Sequence, residues 1–194
     1  MKPISYDNYY WQDGLVRLRA LKEEDWEEGY PSYFDSEARF LLQEEVELPP
    51  AETKVQEEYR GFAGFNQEKG RLMFTIETLD GKIVGGLNLN GVDERNGTFG
   101  IGIQVHVGER GKGYGTAAMR ILLRYAFLER RLNKFNSGCV DGNEPSAALH
   151  RKLGCMQEGV RRQMTYSDGK YVDWILFGLT REEFLENEQR FSRG

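Results

Sequence analysis

The sequence predicts a single-domain α/β (α+β) protein with one mixed, mostly antiparallel central sheet and helices on both faces. First, apolar residues recur at a period of two in some segments and at helical spacing in others. Second, the turn residues Asp80–Gly81 and Asn96–Gly97 connect successive strands as hairpins. Third, residues 98–140 form a strand–helix–strand unit, which places one parallel strand pair in the otherwise antiparallel sheet.

Each element has its own local signal in the sequence. Strands are predicted where apolar residues alternate, and helices where they recur every three to four residues. Pro31 ends or kinks the first helix, Gly85–Gly86 suggests a bulge or a close approach, and Thr180 with Glu183 forms a capping box. The predicted strands are 14–20, 71–78, 82–89, 98–107, 134–140, 157–166 and 170–179, and the predicted helices are 23–34, 36–42, 51–65, a segment ending at 127, 146–153, and one starting at 180.

The composition indicates an ordinary globular protein. The chain has 194 residues with 39% hydrophobic and 29% charged residues, and we expect a lead-in over residues 1–13 and one domain over 14–190. No apolar run of about 18 residues and no apolar signal core is present, so we expect a cytoplasmic protein without a membrane segment. Two cysteines and two histidines make a metal site improbable.

The charge is unevenly distributed along the chain. The net charge of −5 argues against DNA as a partner, but it divides into −9 over residues 1–97 and +4 over residues 98–194. An anionic ligand at the second half and a cationic one facing the first half would both fit. Solvated faces of Glu-rich helices explain the same numbers equally well.

A glycine-rich turn connects the strand 98–107 to the helix that follows it. Gly111, Gly113 and Gly115 lie there with Arg110 and Lys112. Free backbone N–H groups and the positive end of a helix dipole then meet at one point, which suits a phosphate or pyrophosphate. A Walker A loop would need Ser or Thr after Lys112, and a dinucleotide fingerprint would need a glycine at Thr116. A tight turn without a ligand is the remaining alternative.

These residues resemble a known signature. The run from Arg110 to Gly115 is similar to the (Gln/Arg)-x-x-Gly-x-(Gly/Ala) motif of the GNAT superfamily of acetyl-CoA-dependent N-acetyltransferases. The segment 143–155 with Glu158–Gly159–Val160–Arg161 resembles the later helix–strand element of its RimJ/RimL-like branch. The resemblance covers about residues 14–187 and is specific from 98 to 179. It implies a GNAT-like fold with acetyl-CoA as co-substrate.

The resemblance also implies which residues would bind the cofactor. The strands 98–107 and 134–140 should splay apart beyond Val105, and the pantetheine arm should pair with backbone groups such as those of Val105 and Val107. Asn143 and Ser146 would add polar contacts, although Asn143 could equally be a helix N-cap. The pyrophosphate should rest on the N–H groups of Arg110, Gly111, Lys112, Gly113, Tyr114, Gly115 and Thr116.

Three residues are candidates for the chemistry. Transfer to an amine needs a proton acceptor, an oxyanion donor and an acid for the thiolate. His150 occupies the position where much of the superfamily has a Tyr, and it is either an acid or a solvated helix residue. His106 and Gln104 share a strand face that could form the acceptor pocket, so His106 is a candidate base. Glu77 could orient the amine or relay a proton, but could also be merely solvated.

The sequence therefore predicts an N-acetyltransferase that moves an acetyl group directly from acetyl-CoA to a primary amine in a ternary complex. The amine would belong to a protein N-terminus or to a small molecule, and a homodimer is possible. A non-catalytic CoA-binding sensor or assembly module is the alternative, because His150 stands in place of the Tyr.

Overall fold

The structure is a computed structural model that describes residues 4–43, 47–65, 70–167 and 169–191. Within these ranges, seven strands form one sheet in the order β1-β2-β3-β4-β5-β7-β6. The strands are β1 (Val16–Ala20), β2 (Arg71–Thr78), β3 (Ile83–Asp93), β4 (Thr98–Val105), β5 (Lys134–Val140), β6 (Met156–Ser167) and β7 (Lys170–Thr180). The helices are α1 (Trp26–Gly29), α2 (Ser36–Gln43), α3 (Glu52–Phe62), α4 (Tyr114–Arg124), α5 (Glu144–Lys152) and α6 (Arg181–Phe191).

The sheet is divided at its centre. All neighbouring strands pair antiparallel except β4 and β5, which run parallel. Their pairing consists of Thr98 with Lys134 and Phe99 with Phe135. The two strands therefore separate after Phe99, and the expectation that they stay together as far as Val105 is wrong. The two strands separate because each pairs with a different neighbour: β4 pairs with β3 as far as Val105, while β5 pairs with β7.

Helices cover both faces of the sheet, as predicted. On one face, α4 buries Ala117, Ala118, Ile121 and Leu122 against the strands, because these residues recur on one side of the helix. On the other face lie α1, α2 and α3. Fully buried aromatic rings, those of Phe127 and Phe135, pack against the Phe99 ring at the point where β4 and β5 still pair. The hydrophobic core thus stabilises the end of the sheet at which β4 and β5 are hydrogen-bonded to each other.

The predicted elements are confirmed in their order, and several boundaries differ. The strand 98–107 ends at Val105, so Val107 lies in a 3₁₀ turn (Val107–Glu109) with an exposed side chain. The helix 23–34 is broken into 3₁₀ turns on either side of α1, and Pro31, which has no N–H group, lies in the second turn. The capping box is present, since Thr180 N–H donates to Glu183 Oε2 (2.8 Å). The hairpin signal at Asp168 lies outside the described residues.

Residues 4–13 contact the body of the domain. The Trp11 ring packs against Phe74 and Tyr125, with ring centroids 5.1 and 4.7 Å apart, and the Leu18 N–H donates to Trp11 O (2.7 Å). These residues thus extend the core on the side of β1. The boundary between residues 13 and 14 stays a prediction. None of the helices in the described ranges is long and apolar enough to cross a membrane.

Candidate functional site

The gap between β4 and β5 exposes backbone groups that lack a strand partner. In a strand, the N–H and C=O of one residue point to the same side, and this side alternates along the chain. His106 N–H donates to Val84 O on the β3 side, and Lys134 N–H donates to Gly97 O on the β5 side. The backbone groups of Ile101, Ile103 and Val105 therefore face the gap.

The turn from 107 to 116, called the glycine turn below, lies at the open end of this gap. Gly111 and Gly113 have φ values of 79° and 87°, which are left-handed and favour glycine. Among the described residues, the first helical N–H with a partner is that of Ala117, which donates to Gly113 O (3.1 Å), and no side chain caps α4. The preceding N–H groups are thus available for an anion at the positive end of the helix dipole.

Charged side chains around the glycine turn are engaged with one another. Lys82 and Lys112 donate to the two carboxylate oxygens of Glu109, at 2.6 and 2.9 Å, and these bonds hold the pKa of Glu109 below its usual value. Arg110 Nε donates to Val105 O (3.1 Å), so its side chain closes the turn rather than pointing along the free N–H groups. An anion at the turn would therefore meet backbone donors first. The residues present fit a pyrophosphate.

Asn143 and Ser146 lie at the N-terminus of α5. Asn143 Oδ1 accepts the Ser146 N–H (3.1 Å), so Asn143 is the N-cap of this helix. Ser146 O accepts a hydrogen bond from His150 Nδ1 (2.8 Å). The capping oxygen of Asn143 is thus committed to the helix in the structure, and a cofactor contact through this residue stays a prediction.

A cavity of about 520 Å³ lies on the other face of the sheet, between β2, β3 and β4 and the first three helices. Its lining includes Gln104 in β4 and His106, the residue directly after this strand. Gly102 leaves space for the Asn88 side chain on the cavity floor, because a Cβ at position 102 would lie only 2.8 Å from Asn88 Nδ2. Gly85 passes so close to Gln104 O that a Cβ would collide with it, which confirms the predicted close approach.

His106 is partly buried at the end of β4. Burial lowers its pKa from the usual value, while the negative charges of Glu28 and Glu109 act in the opposite direction. The backbone of His106 is fixed at both sides, since its N–H donates to Val84 O (2.9 Å) and its carbonyl accepts the Glu109 N–H (2.9 Å). A neutral imidazole thus stands at the cavity, close to the open end of the gap.

Glu77 takes a different place from the one expected. It is 7% exposed, and its two carboxylate oxygens accept from Arg17 Nε (2.5 Å) and Arg19 Nε (2.7 Å). Arg19 also holds Asp25 through two hydrogen bonds, and Asp25 accepts the Thr75 hydroxyl (2.7 Å). Glu77 is therefore part of a buried ion-pair network that fixes the segment before α1 to the sheet. Asp25 and Thr75 line the cavity, whereas Glu77 is absent from its lining in the described part of the chain.

His150 is buried rather than solvated. Its ring is 5% exposed and stacks on Phe177 at 4.7 Å between centroids. Since a carbonyl oxygen only accepts, Nδ1 donates to Ser146 O, and the neutral ring then accepts from the Ser137 hydroxyl at Nε2 (2.7 Å). Burial lowers its pKa, which favours this neutral form. Both nitrogens are engaged, so His150 fastens α5 to β5.

Several cavity residues were missed by sequence reasoning. Asn90 Nδ2 donates to Asn88 Oδ1 (2.6 Å), and this amide row forms part of the floor. Arg39 pairs with Glu47 and lies 4.4 Å from the Tyr33 ring centroid. The alternation Asn88–Leu89–Asn90 was a signal that two polar side chains share one face of β3. The contacts of Arg39 and Tyr33 depend on helix positions that no local pattern fixes.

The carboxylates of the cavity already have donors. Asp25 pairs with Arg19, Glu47 with Arg39, and Glu58 Oε2 accepts the Tyr33 hydroxyl (2.8 Å). Burial tends to raise the pKa of Asp25, but hydrogen bonds from Arg19, Lys22 N–H and Thr75 outweigh it and hold the pKa below its usual value. No group of three or more His, Cys, Asp or Glu residues suited to a metal occurs within the described ranges.

Comparison with known proteins agrees with this geometry. Residues 16–156 match the family model described as "Acetyltransferase (GNAT) domain". The chain is 34% identical over 180 residues to the "SPbeta prophage-derived uncharacterized N-acetyltransferase YokL" of Bacillus subtilis (strain 168), covering 92% of this chain and 97% of the relative.

Two solved structures with bound CoA have the same fold. One is the spermidine N-acetyltransferase from Vibrio cholerae in complex with CoA and spermine (TM-score 0.78, 18% identity, 89% of this chain and 99% of that one). The other is RimL, a ribosomal L7/L12 alpha-N-protein acetyltransferase in complex with CoA (TM-score 0.74, 20% identity, 87% and 95%). The predicted single-domain mixed sheet with one parallel pair is thus confirmed.

Proposed function

The chain belongs to the GNAT family of acetyltransferases, as its RimJ/RimL-like motifs predicted, and from this premise we propose that it acetylates the N-terminal amine of a peptide or protein. The acyl-CoA-dependent N-acyltransferase activity follows from the family. The acceptor and the roles of individual residues form the proposal. The observation that carries it is the amide row of Asn88 and Asn90 on the cavity floor.

The floor suits a peptide better than a polyamine. Each Asn side chain has four hydrogen-bonding positions, and the contacts within the row fill only some of them, so N–H and C=O groups of a peptide can be bound. A polyamine needs carboxylates for its charges. Of the three carboxylates that line the cavity in the described ranges, two are paired with Arg19 and Arg39, and the third, Glu58, accepts the Tyr33 hydroxyl.

The gap and the glycine turn would hold the cofactor. The backbone groups of Ile101 and Ile103 and the N–H of Val105 would pair with the pantetheine arm, and the N–H groups of residues 111–116 would hold the pyrophosphate. Acetyl-CoA supplies a thioester, whose carbonyl carbon is open to attack by an amine. An N–H group facing the gap would stabilise the charge that develops on its oxygen.

His106 would act as the base. Its pKa is lowered by burial, so the ring is neutral near pH 7 and accepts a proton from the bound ammonium group. After the attack, the amine nitrogen still carries a second proton to lose. When the C–S bond breaks, this proton would pass to the departing thiolate and give the free thiol, so the chain need not supply a dedicated acid. His150 and Glu77 would have supporting roles, because the donors and acceptors of their side chains are engaged within the fold.

The acceptor is tested by thiol release from acetyl-CoA. We expect kcat/KM for short peptide amides with free N-termini to exceed that for spermidine by about tenfold or more, which corresponds to about 1.4 kcal/mol. The same peptides with a formylated N-terminus are the matched control and should release no thiol. A preference for spermidine would replace the peptide by a polyamine, and CoA binding without thiol release for any amine would indicate a binding module.

A further inference from the structure

One ion pair joins the glycine turn to Asp35, the residue directly before α2. Arg110 Nη2 donates to Asp35 Oδ2 (2.8 Å), across 75 positions of sequence. The same guanidinium donates from Nε to Val105 O (3.1 Å), whose carbonyl faces the gap. The Arg110 side chain thus contacts the end of β4 and a residue of the opposite segment at the same time.

Asp35 also organises the helix that follows it. Its Oδ1 accepts the Ala38 N–H (3.2 Å), which is N-cap geometry, and its carbonyl accepts the Arg39 N–H (2.9 Å). Burial acts to raise the pKa of Asp35, but the Ala38 N–H and Arg110 outweigh it and hold the pKa low, so the carboxylate stays charged. The helix it caps, α2, contributes Arg39 and Leu42 to the cavity lining.

We infer that Asp35 is a positioning residue that couples cofactor binding to the order of the acceptor cavity; this rests on the proposed function. The backbone of the glycine turn faces the cofactor, while the Arg110 side chain of the same turn faces Asp35. A cofactor that fixes the turn therefore fixes the Arg110 guanidinium, and this strengthens its contact with the cap of α2. Acetyl-CoA would then order the cavity wall before the amine enters.

The solvent exposure of the Arg110–Asp35 ion pair determines which measurement can detect its effect on the protein. The side chains of Arg110 and Asp35 are 44% and 19% exposed. An ion pair with this exposure adds little to global stability. Its effect should instead appear as a cofactor-dependent change in the local opening of α2, which amide hydrogen exchange reports.

The test is hydrogen exchange of the full chain with and without saturating CoA. In the wild type, CoA should slow exchange in residues 111–118, and also in residues 36–43 by about threefold or more. Asp35→Ser keeps an N-capping oxygen but is too short to reach Arg110. In this variant CoA should still protect residues 111–118 and should no longer protect residues 36–43.

A matched control removes a different carboxylate of the same face. Glu23 pairs with Arg60 at 2.6 Å, and Glu23→Ser should keep the CoA-dependent protection of residues 36–43. Protection of 111–118 without protection of 36–43 in the wild type would overturn this inference alone, as would full protection in Asp35→Ser. Absence of CoA-dependent protection at 111–118 in the wild type would overturn the proposed cofactor site as well.

Discussion

Two histidines with the same direction of pKa shift have different surroundings. Burial lowers the pKa of both His106 and His150. His106 lines the cavity, whereas both ring nitrogens of His150 are bonded inside the fold. A lowered pKa therefore does not identify the base by itself, and the position of the ring relative to the cavity distinguishes the two residues.

His106→Gln should lower kcat by about 10²-fold, because the ammonium group then loses its proton acceptor. In the wild type, kcat should fall as the pH drops below about 6.5, since the imidazole becomes protonated as the pH approaches its lowered pKa. The measurement is kcat from pH 5 to 8 at saturating peptide and acetyl-CoA. A variant that keeps the wild-type kcat and pH profile would exclude His106 as the base.

At the level of elements, the contacts of α5 with β5 and β7 explain why the sequence alone does not predict the burial of His150. The sequence predicts a short helix at this residue, which is confirmed, but it leaves the ring either solvated or at the reaction site. The ring contacts Phe177, which comes from a strand 27 positions later in the chain. No local pattern specifies that β7 pairs with β5 and so places Phe177 against this ring.

His150→Gln should change the pH dependence of stability. The pKa of His150 is lowered in the folded state, so the unfolded chain binds the proton more tightly. The contribution of the neutral His150 ring to the free energy of unfolding is fully present above about pH 6.5, the ordinary pKa of His in an unfolded chain. It is lost as the pH falls towards the lower pKa of His150 in the folded state. The variant should lose about 1–3 kcal/mol at pH 7.5 and show a weaker further loss at pH 5.5 than the wild type.

Urea unfolding at both pH values measures this, and His106→Gln in parallel gives the contribution of the other histidine. Equal acid losses in the wild type and His150→Gln would show that the ring is not held neutral by the fold.

At the scale of the whole molecule, the sequence predicts the sheet and the position of the glycine turn well, and it predicts few of the residues that line the cavity. The glycine turn is local, since three glycines, Arg110 and Lys112 lie within six positions. The separation of β4 from β5 has no local sequence signal, because it depends on the pairing of β4 with β3 and of β5 with β7. The cavity likewise joins residues from 21 to 106, and the contact of Asp35 with Arg110 has no signature in either segment.

The central claim is that the glycine turn binds CoA, and calorimetric titration of CoA into Gly113→Val tests it most directly. Gly113 has a φ of 87°, so a β-branched residue should strain the turn and cover the N–H groups that we propose for the pyrophosphate. Gly14→Val is the control, because a Cβ at Gly14 meets no atom within 4 Å. We expect CoA affinity to fall by about tenfold or more in Gly113→Val, with far-UV circular dichroism unchanged, and to remain at the wild-type value in Gly14→Val. Equal CoA affinity in the wild type and Gly113→Val would contradict the account.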